Sequence, residues 1–229
     1  MSKKKDSLER LAFDKQTKEY LERKSEKYKV KAITNGHQEL LDAIEDCQYV
    51  ICSGPAGSGK THLALGRGME YLRDGKFKKI LLIRPLQECG RGIGFLPGGK
   101  EDKLAPHMRA FSDLFHKFAS PEQYERYIKD NTIEIDTCEF MRGCTFDDTY
   151  VVIDEAQNCD YRQLTMLLSR LGKRSKMVIV GDATQFDLPH WMLYENRVPM
   201  EVMMDRLEDR DDDIAVMDLD ERDIVRNEL

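Results

Sequence analysis

Gly54-Pro55-Ala56-Gly57-Ser58-Gly59-Lys60-Thr61 follows the apolar run Tyr49-Val50-Ile51-Cys52 and opens a stretch of helical periodicity from Thr61 to Leu72. The spacing is that of a phosphate-binding loop, G-x-x-x-x-G-K-[ST], in the strand-loop-helix setting that such a loop requires. Its glycines let successive backbone N–H groups curl around phosphates, and the helix that follows presents its positive end. In this pattern Lys60 reaches the β- and γ-phosphates and the Thr61 hydroxyl ligates Mg²⁺. The expected nucleotide-binding residues are therefore Gly54, Pro55, Ala56, Gly57, Ser58, Gly59, Lys60 and Thr61.

Outward from this loop, short apolar runs alternate with helical patterns. Strands are expected at residues 48–52, 79–83, 132–135, 150–153, 177–180 and 214–217, and helices at 37–46, 61–72, 106–118, 121–129, 161–171 (ended by Gly172) and, for the most part, 190–206. Such alternation predicts an α/β fold, a mainly parallel sheet with helices on both faces. Asn35-Gly36 reads as a turn, and residues 6–27 as a charged, sparsely apolar helix. The domain plan is thus a charged extension over residues 1–31 and a single domain over 32–229.

Two further strand ends carry chemistry. Tyr150-Val151-Val152-Ile153 empties into Asp154-Glu155-Ala156-Gln157, at the carboxyl edge where parallel strands deliver side chains to a ligand. Asp154 is expected to hold Mg²⁺, in part through water, and Glu155 to orient and deprotonate the water attacking the γ-phosphate. The strand before Gly181-Asp182-Ala183-Thr184-Gln185 lets Gln185 sense the γ-phosphate or that water, provided this strand lies between the other two.

Bulk composition narrows the classes. The chain has 229 residues, 41% hydrophobic, enough for one large core. No apolar stretch approaches the roughly 20 residues of a membrane span, and the start is charged, so a soluble cytoplasmic protein is expected. Six cysteines form no C-x-x-C pair, which argues against a zinc site or a disulfide framework. The net charge of −6 is unlike that of a protein coated by nucleic acid. Its distribution is polar, however: residues 1–31 carry eleven basic and six acidic side chains, and residues 195–229 carry thirteen acidic and five basic. This asymmetry suits head-to-tail subunit contact or a basic surface for a polyanion, and equally two solvated helical faces.

From about Gln38 to Arg226 the chain resembles the PhoH family of P-loop ATPases, related to superfamily 1 helicases. The segments that carry the resemblance are GPAGSGKT, IRPLQECGRGIGFLPG, FMRGCTFDD, VVIDEAQN, LLSRLGKRSKMVIVGDATQFDLP and DIVRN. It implies a RecA-like core, ATP and Mg²⁺ as ligands, and a role in RNA metabolism. By similarity Gln38 falls where related helicases read the adenine edge. Some relatives carry an N-terminal nuclease domain, which residues 6–27 do not match, so nuclease activity is not expected.

Related monomeric helicases close a second RecA-like half over the nucleotide, whereas only about 40 residues follow Gln185, short of the roughly 100 such a half needs. The expected assembly is a head-to-tail homo-oligomeric ring, a hexamer by analogy, in which a neighbour supplies an arginine finger. Arg170 is the first candidate, followed by Arg142 and Arg226; each also reads as an ordinary surface arginine. In the Gly-rich loop Cys89–Lys100 and just beyond it, Arg91, Lys100, Lys103 and Phe95 suit RNA or single-stranded nucleic acid, and equally a subunit contact.

The leading reading is ATP hydrolysis coupled to RNA or single-stranded nucleic acid. A small-molecule kinase is disfavoured, because a water activator at Glu155 would waste ATP. A nucleotide-gated assembly protein with little turnover is the alternative.

Overall fold

A computed structural model describes residues 29–85, 111–185, 189, 192–208, 210 and 212–225. The expected helix at 6–27, the loop residues Arg91, Phe95, Lys100 and Lys103, and Arg226 lie outside the described residues.

Six strands, β1 (Tyr49–Ser53), β2 (Lys79–Ile83), β3 (Ile133–Asp136), β4 (Thr149–Ile153), β5 (Lys176–Gly181) and β6 (Ile214–Asp218), form one sheet in the order β3-β2-β4-β5-β1-β6. Every neighbouring pair is parallel. Parallel strands need crossovers, and helices lie in four of them, α2 (Lys60–Arg73), α3 (Pro121–Lys129), α4 (Tyr161–Leu168) and α5 (Pro199–Leu207), while α1 (Asn35–Asp46) precedes β1. Residues 111–115 are helical as well.

The strand sequences are apolar because both faces are covered, and their side chains part with a period of two. Val50, Cys52, Ile80, Leu82, Tyr150, Val152, Val178 and Val180 pack with α1, α2 and Phe115 on one face. Ile51, Leu81, Ile83, Val151, Ile153, Met177 and Ile179 pack with α4 and α5 on the other. Among the described residues no helix is long and apolar enough to cross a membrane.

Tight packing of α2 on the sheet depends on Gly68, where a Cβ would come within 2.6 Å of the Tyr150 ring. That ring is fully buried and its hydroxyl donates to the Ala64 carbonyl at 2.9 Å. Gly68→Ala gains about 1 kcal/mol of helix propensity and loses about 1 to 3 kcal/mol to overpacking. The expected result is net destabilisation of up to about 2 kcal/mol in urea unfolding; a raised midpoint would mean that the ring relocates freely.

Three expectations are corrected. The helix expected over 161–171 stops at Leu168, because Leu171 enters a bridge with Phe146 and the Arg170 carbonyl accepts the Phe146 N–H at 2.9 Å. The helix expected over most of 190–206 begins, among the described residues of that stretch, at Pro199 and runs to Leu207. Within the described part of that stretch, Tyr194 and Arg197 pair across Glu195 and Asn196, both at positive φ, and Val198 is held extended by the proline after it. Asn35-Gly36, expected as a turn, is the first turn of α1, since the Thr34 hydroxyl accepts the His37 N–H at 3.1 Å and caps the helix.

Candidate nucleotide site

The carboxyl ends of β1, β4 and β5 are adjacent, with β5 between the other two. This is the condition under which Gln185 shares a site with the phosphate-binding loop and the acid pair. All three clusters border one cavity of about 530 Å³, lined by Ala56, Gly57, Lys60 and Thr61, by Asp154 and Glu155, and by Asp182, Thr184 and Gln185.

The loop leaves β1 and is tied to the end of β5 by the Gly54 N–H on the Gly181 carbonyl at 3.2 Å. Gly57 and Gly59 adopt φ of 86° and 77°, a region costly for residues with a Cβ, and Gly59 is the N-cap of α2 without a side-chain cap. The first N–H groups of α2 are thus left for a ligand. Lys60 is buried and folds into the loop, donating to the Gly54 carbonyl at 2.7 Å, the Pro55 carbonyl at 2.8 Å and Ser58 Oγ at 3.1 Å. Among the described residues it forms no ion pair with a carboxylate, and burial pulls its ammonium pKa below the ordinary lysine value. A buried cation held only by neutral oxygens is electrostatically suited to an anion.

The Thr61 hydroxyl donates to Asp154 Oδ1 at 2.8 Å. Asp154 is buried, and desolvation raises its carboxyl pKa above the usual aspartate value, with the Arg84 charge and the Thr61 hydroxyl pulling it back. Two hard oxygen donors side by side fit Mg²⁺, which is commonly held by one or two protein ligands together with phosphate oxygens and water. Among the described residues there is no group of three or more His, Cys, Asp or Glu placed to hold a metal.

Glu155 stands at φ 55°, an unusual backbone state for a residue with a side chain, at the sharp turn off β4. Its Oε1 accepts from Arg84 Nη2 at 2.9 Å and its Oε2 from Gln157 Nε2 at 2.7 Å. Gln157 is buried and accepts the Asp182 N–H at 3.0 Å, joining the ends of β4 and β5. Asp182 is buried with Oδ1 engaged by the Thr184 hydroxyl and N–H, while Oδ2 has no hydrogen-bond partner among the described residues. Arg84 and Gln157 received no role from sequence. A signal existed for Arg84, the first charged residue after the apolar β2, but that β2 neighbours β4 is a fact of topology.

The expected residues Gln38, Arg170 and Arg142 are not among those lining the cavity. Gln38 is exposed on α1 with its amide on Asp42 Oδ1 at 2.7 Å. Its neighbour His37 is buried, with Nε2 against the Ser58 carbonyl of the phosphate-binding loop at 3.0 Å, so α1 is fastened to that loop. Arg170 follows α4 at the start of β4, the opposite sheet edge, separated from the site by the length of a strand, about 15 Å. Its Nε donates to the Met166 carbonyl at 3.4 Å. Arg142 is exposed in the segment between β3 and β4.

A parallel sheet with one strand inserted between the phosphate-loop strand and the acid-pair strand, all three emptying into one cavity, defines a RecA-like P-loop nucleotide hydrolase core. Residues 29–229 match the PhoH-like protein family, and the chain belongs to it. It is 37% identical to the PhoH-like protein of Bacillus subtilis over 226 residues, covering 99% of this chain and 69% of that protein. Identity to the PhoH-like protein of Mycobacterium leprae is 36%, over 87% of this chain and 56% of the relative, so the chain spans only part of these proteins. Among solved structures it is similar to the helicase domain of Pyrococcus furiosus Hef, at 16% identity and a TM-score of 0.47, covering 82% of this chain and 38% of that one.

Proposed function

We propose that the chain hydrolyses ATP in a magnesium-dependent manner and couples this to binding or remodelling RNA or single-stranded nucleic acid. The observation that carries the hydrolytic half is the meeting of Lys60, Thr61, Asp154, Glu155 and Gln185 around one cavity. In this reading Lys60 exchanges its carbonyl partners for β- and γ-phosphate oxygens, and the phosphates lie on the N-terminus of α2. Thr61 and Asp154 hold Mg²⁺, which when bound neutralises charge on the phosphates. Glu155 takes the proton of the attacking water, and Gln185 donates to that water or to the γ-phosphate. Gln38, on a helix fastened to the loop through His37, reads the adenine edge.

Family membership supports the nucleic-acid half. Fluorescence anisotropy of a labelled single-stranded RNA, with nucleotide bound, tests it: salt-sensitive binding is expected, and no binding at low salt would remove RNA from the proposal. Five described cysteines are free thiols, in keeping with a cytoplasmic location.

The ring, with six subunits favoured, is supported by the arginines at hand. Among the described residues lining the cavity, Arg84 is the one arginine, and it is engaged by Glu155. An arginine finger from a neighbouring subunit is worth about 10³ to 10⁵ in rate. Arg170, at the far sheet edge, serves only a neighbour's site. Lys60→Ala and Arg170→Ala proteins, each inactive alone, are expected to regain partial phosphate release on mixing, and no recovery would remove Arg170 from the role. The engagement of both Glu155 oxygens favours a second reading, a nucleotide-gated assembly protein with little turnover. A single slow turnover that RNA does not accelerate would select it.

A further inference from the structure

The base proposed for hydrolysis is not free in this structure. Ile83 of β2 is in register with Ile153 of β4, and the Asp154 N–H bonds the Ile83 carbonyl at 2.9 Å, so Arg84 and Asp154 leave the sheet side by side with Glu155 next. The Arg84 backbone is anchored on the other side, its N–H on the Asp136 carbonyl of β3 at 3.1 Å. From this fixed origin its guanidinium reaches Glu155 Oε1 at 2.9 Å and stands 4.0 Å from Asp154 Oδ2, over the Phe111 ring at 5.4 Å.

We infer that Arg84 is a positioning residue that keeps Glu155 Oε1 engaged in an ion pair, on a carboxylate that is itself 38% exposed, until a phosphate competes for its guanidinium. The inference rests on Glu155 being the base. The two holds on the carboxylate differ in kind. Gln157 is buried and locked to β5 through the Asp182 N–H, so it fixes the direction of Glu155 and has nowhere to go. Arg84 is a long side chain, 26% exposed, on the rim of the cavity, and it can leave. A guanidinium binds phosphate bidentately as well as it binds carboxylate, so an arriving phosphate is a direct competitor for it. Two sources carry that chemistry, the nucleotide's terminal phosphate and the backbone of a bound nucleic acid. Departure of Arg84 leaves Glu155 Oε1 open to a water while Gln157 keeps the carboxylate aimed.

Steady-state phosphate release by the full chain at saturating magnesium, with and without poly(U), tests this. R84A is expected to raise basal kcat about 3- to 5-fold, the bias of a partly exposed ion pair, with KM for ATP within about twofold. R84K is expected to fall between R84A and the parent protein, and R84A/E155Q to be inactive. Poly(U) separates the sources. If it raises the parent's kcat to the R84A level and adds nothing to R84A, the nucleic-acid backbone is the competitor; if it leaves the parent unchanged while R84A is faster, the nucleotide's own phosphate is. An R84A kcat equal to or below the parent's, or a gain that persists in R84A/E155Q, overturns the inference and leaves the ATPase reading standing. Failure of the parent protein to bind a fluorescent ATP analogue would instead refute that reading, and this one with it.

Discussion

Glu155→Gln protein is expected to bind ATP with a Kd within about threefold of the parent's while its kcat falls by about 10² to 10⁴, the usual worth of a positioned general base. The substitution keeps the shape and one of the two acceptor oxygens, so one of the two hydrogen bonds the carboxylate accepts is given up. The amide oxygen can still accept from Gln157 Nε2 or Arg84 Nη2, as the carboxylate does at 2.7 and 2.9 Å. The backbone turn at φ 55° does not depend on the carboxylate's charge. Basicity is lost together with the ion pair to Arg84, neither of which is a contact to ATP in this reading, so binding and turnover should separate, with ATP accumulating on the enzyme in a filter-binding assay. Hydrolysis at the parent's rate would show that Glu155 is not the base. A Kd raised as much as kcat falls would mean that the residue holds ligand and does not activate water.

Lys60→Ala should do the opposite and lose both. Two charge-assisted hydrogen bonds to phosphate, at about 1.5 to 3 kcal/mol each, amount to about 10² to 10⁴ in affinity. The glycine conformations and the α2 N-terminus remain, so residual weak binding is expected, with turnover undetectable beside it. Circular dichroism should show an unchanged fold, since Lys60 bonds only within its own loop, to Gly54, Pro55 and Ser58. Titration of a fluorescent ATP analogue decides the matter: affinity within threefold of the parent's would exclude Lys60 as a phosphate ligand.

Both variants rest on residues that local sequence identified. A phosphate-binding loop works through its own backbone and one lysine, all within eight residues, so its chemistry is readable in one line. Strands buried on two faces are continuous apolar runs, and β2, β4 and β5 were placed to within a residue for the same reason. Helix ends were less readable. The end of α4 is set by the Phe146–Leu171 bridge, between residues 25 apart, and the start of α5 by a turn at Glu195 and Asn196 together with Pro199.

What the amino-acid sequence determined by itself was the fold class, the ligand chemistry of residues 54–61 and the polar ends of two further strands, because each depends on neighbours along the chain. What only the tertiary structure decided was strand order, and with it who meets whom. Placing β5 between β1 and β4 brings Gln185 to the loop, and placing β2 beside β4 sets Arg84 against Glu155, 71 positions away. Distances of a few ångströms between strand ends follow from hydrogen bonding across the sheet, an arrangement no local spacing encodes.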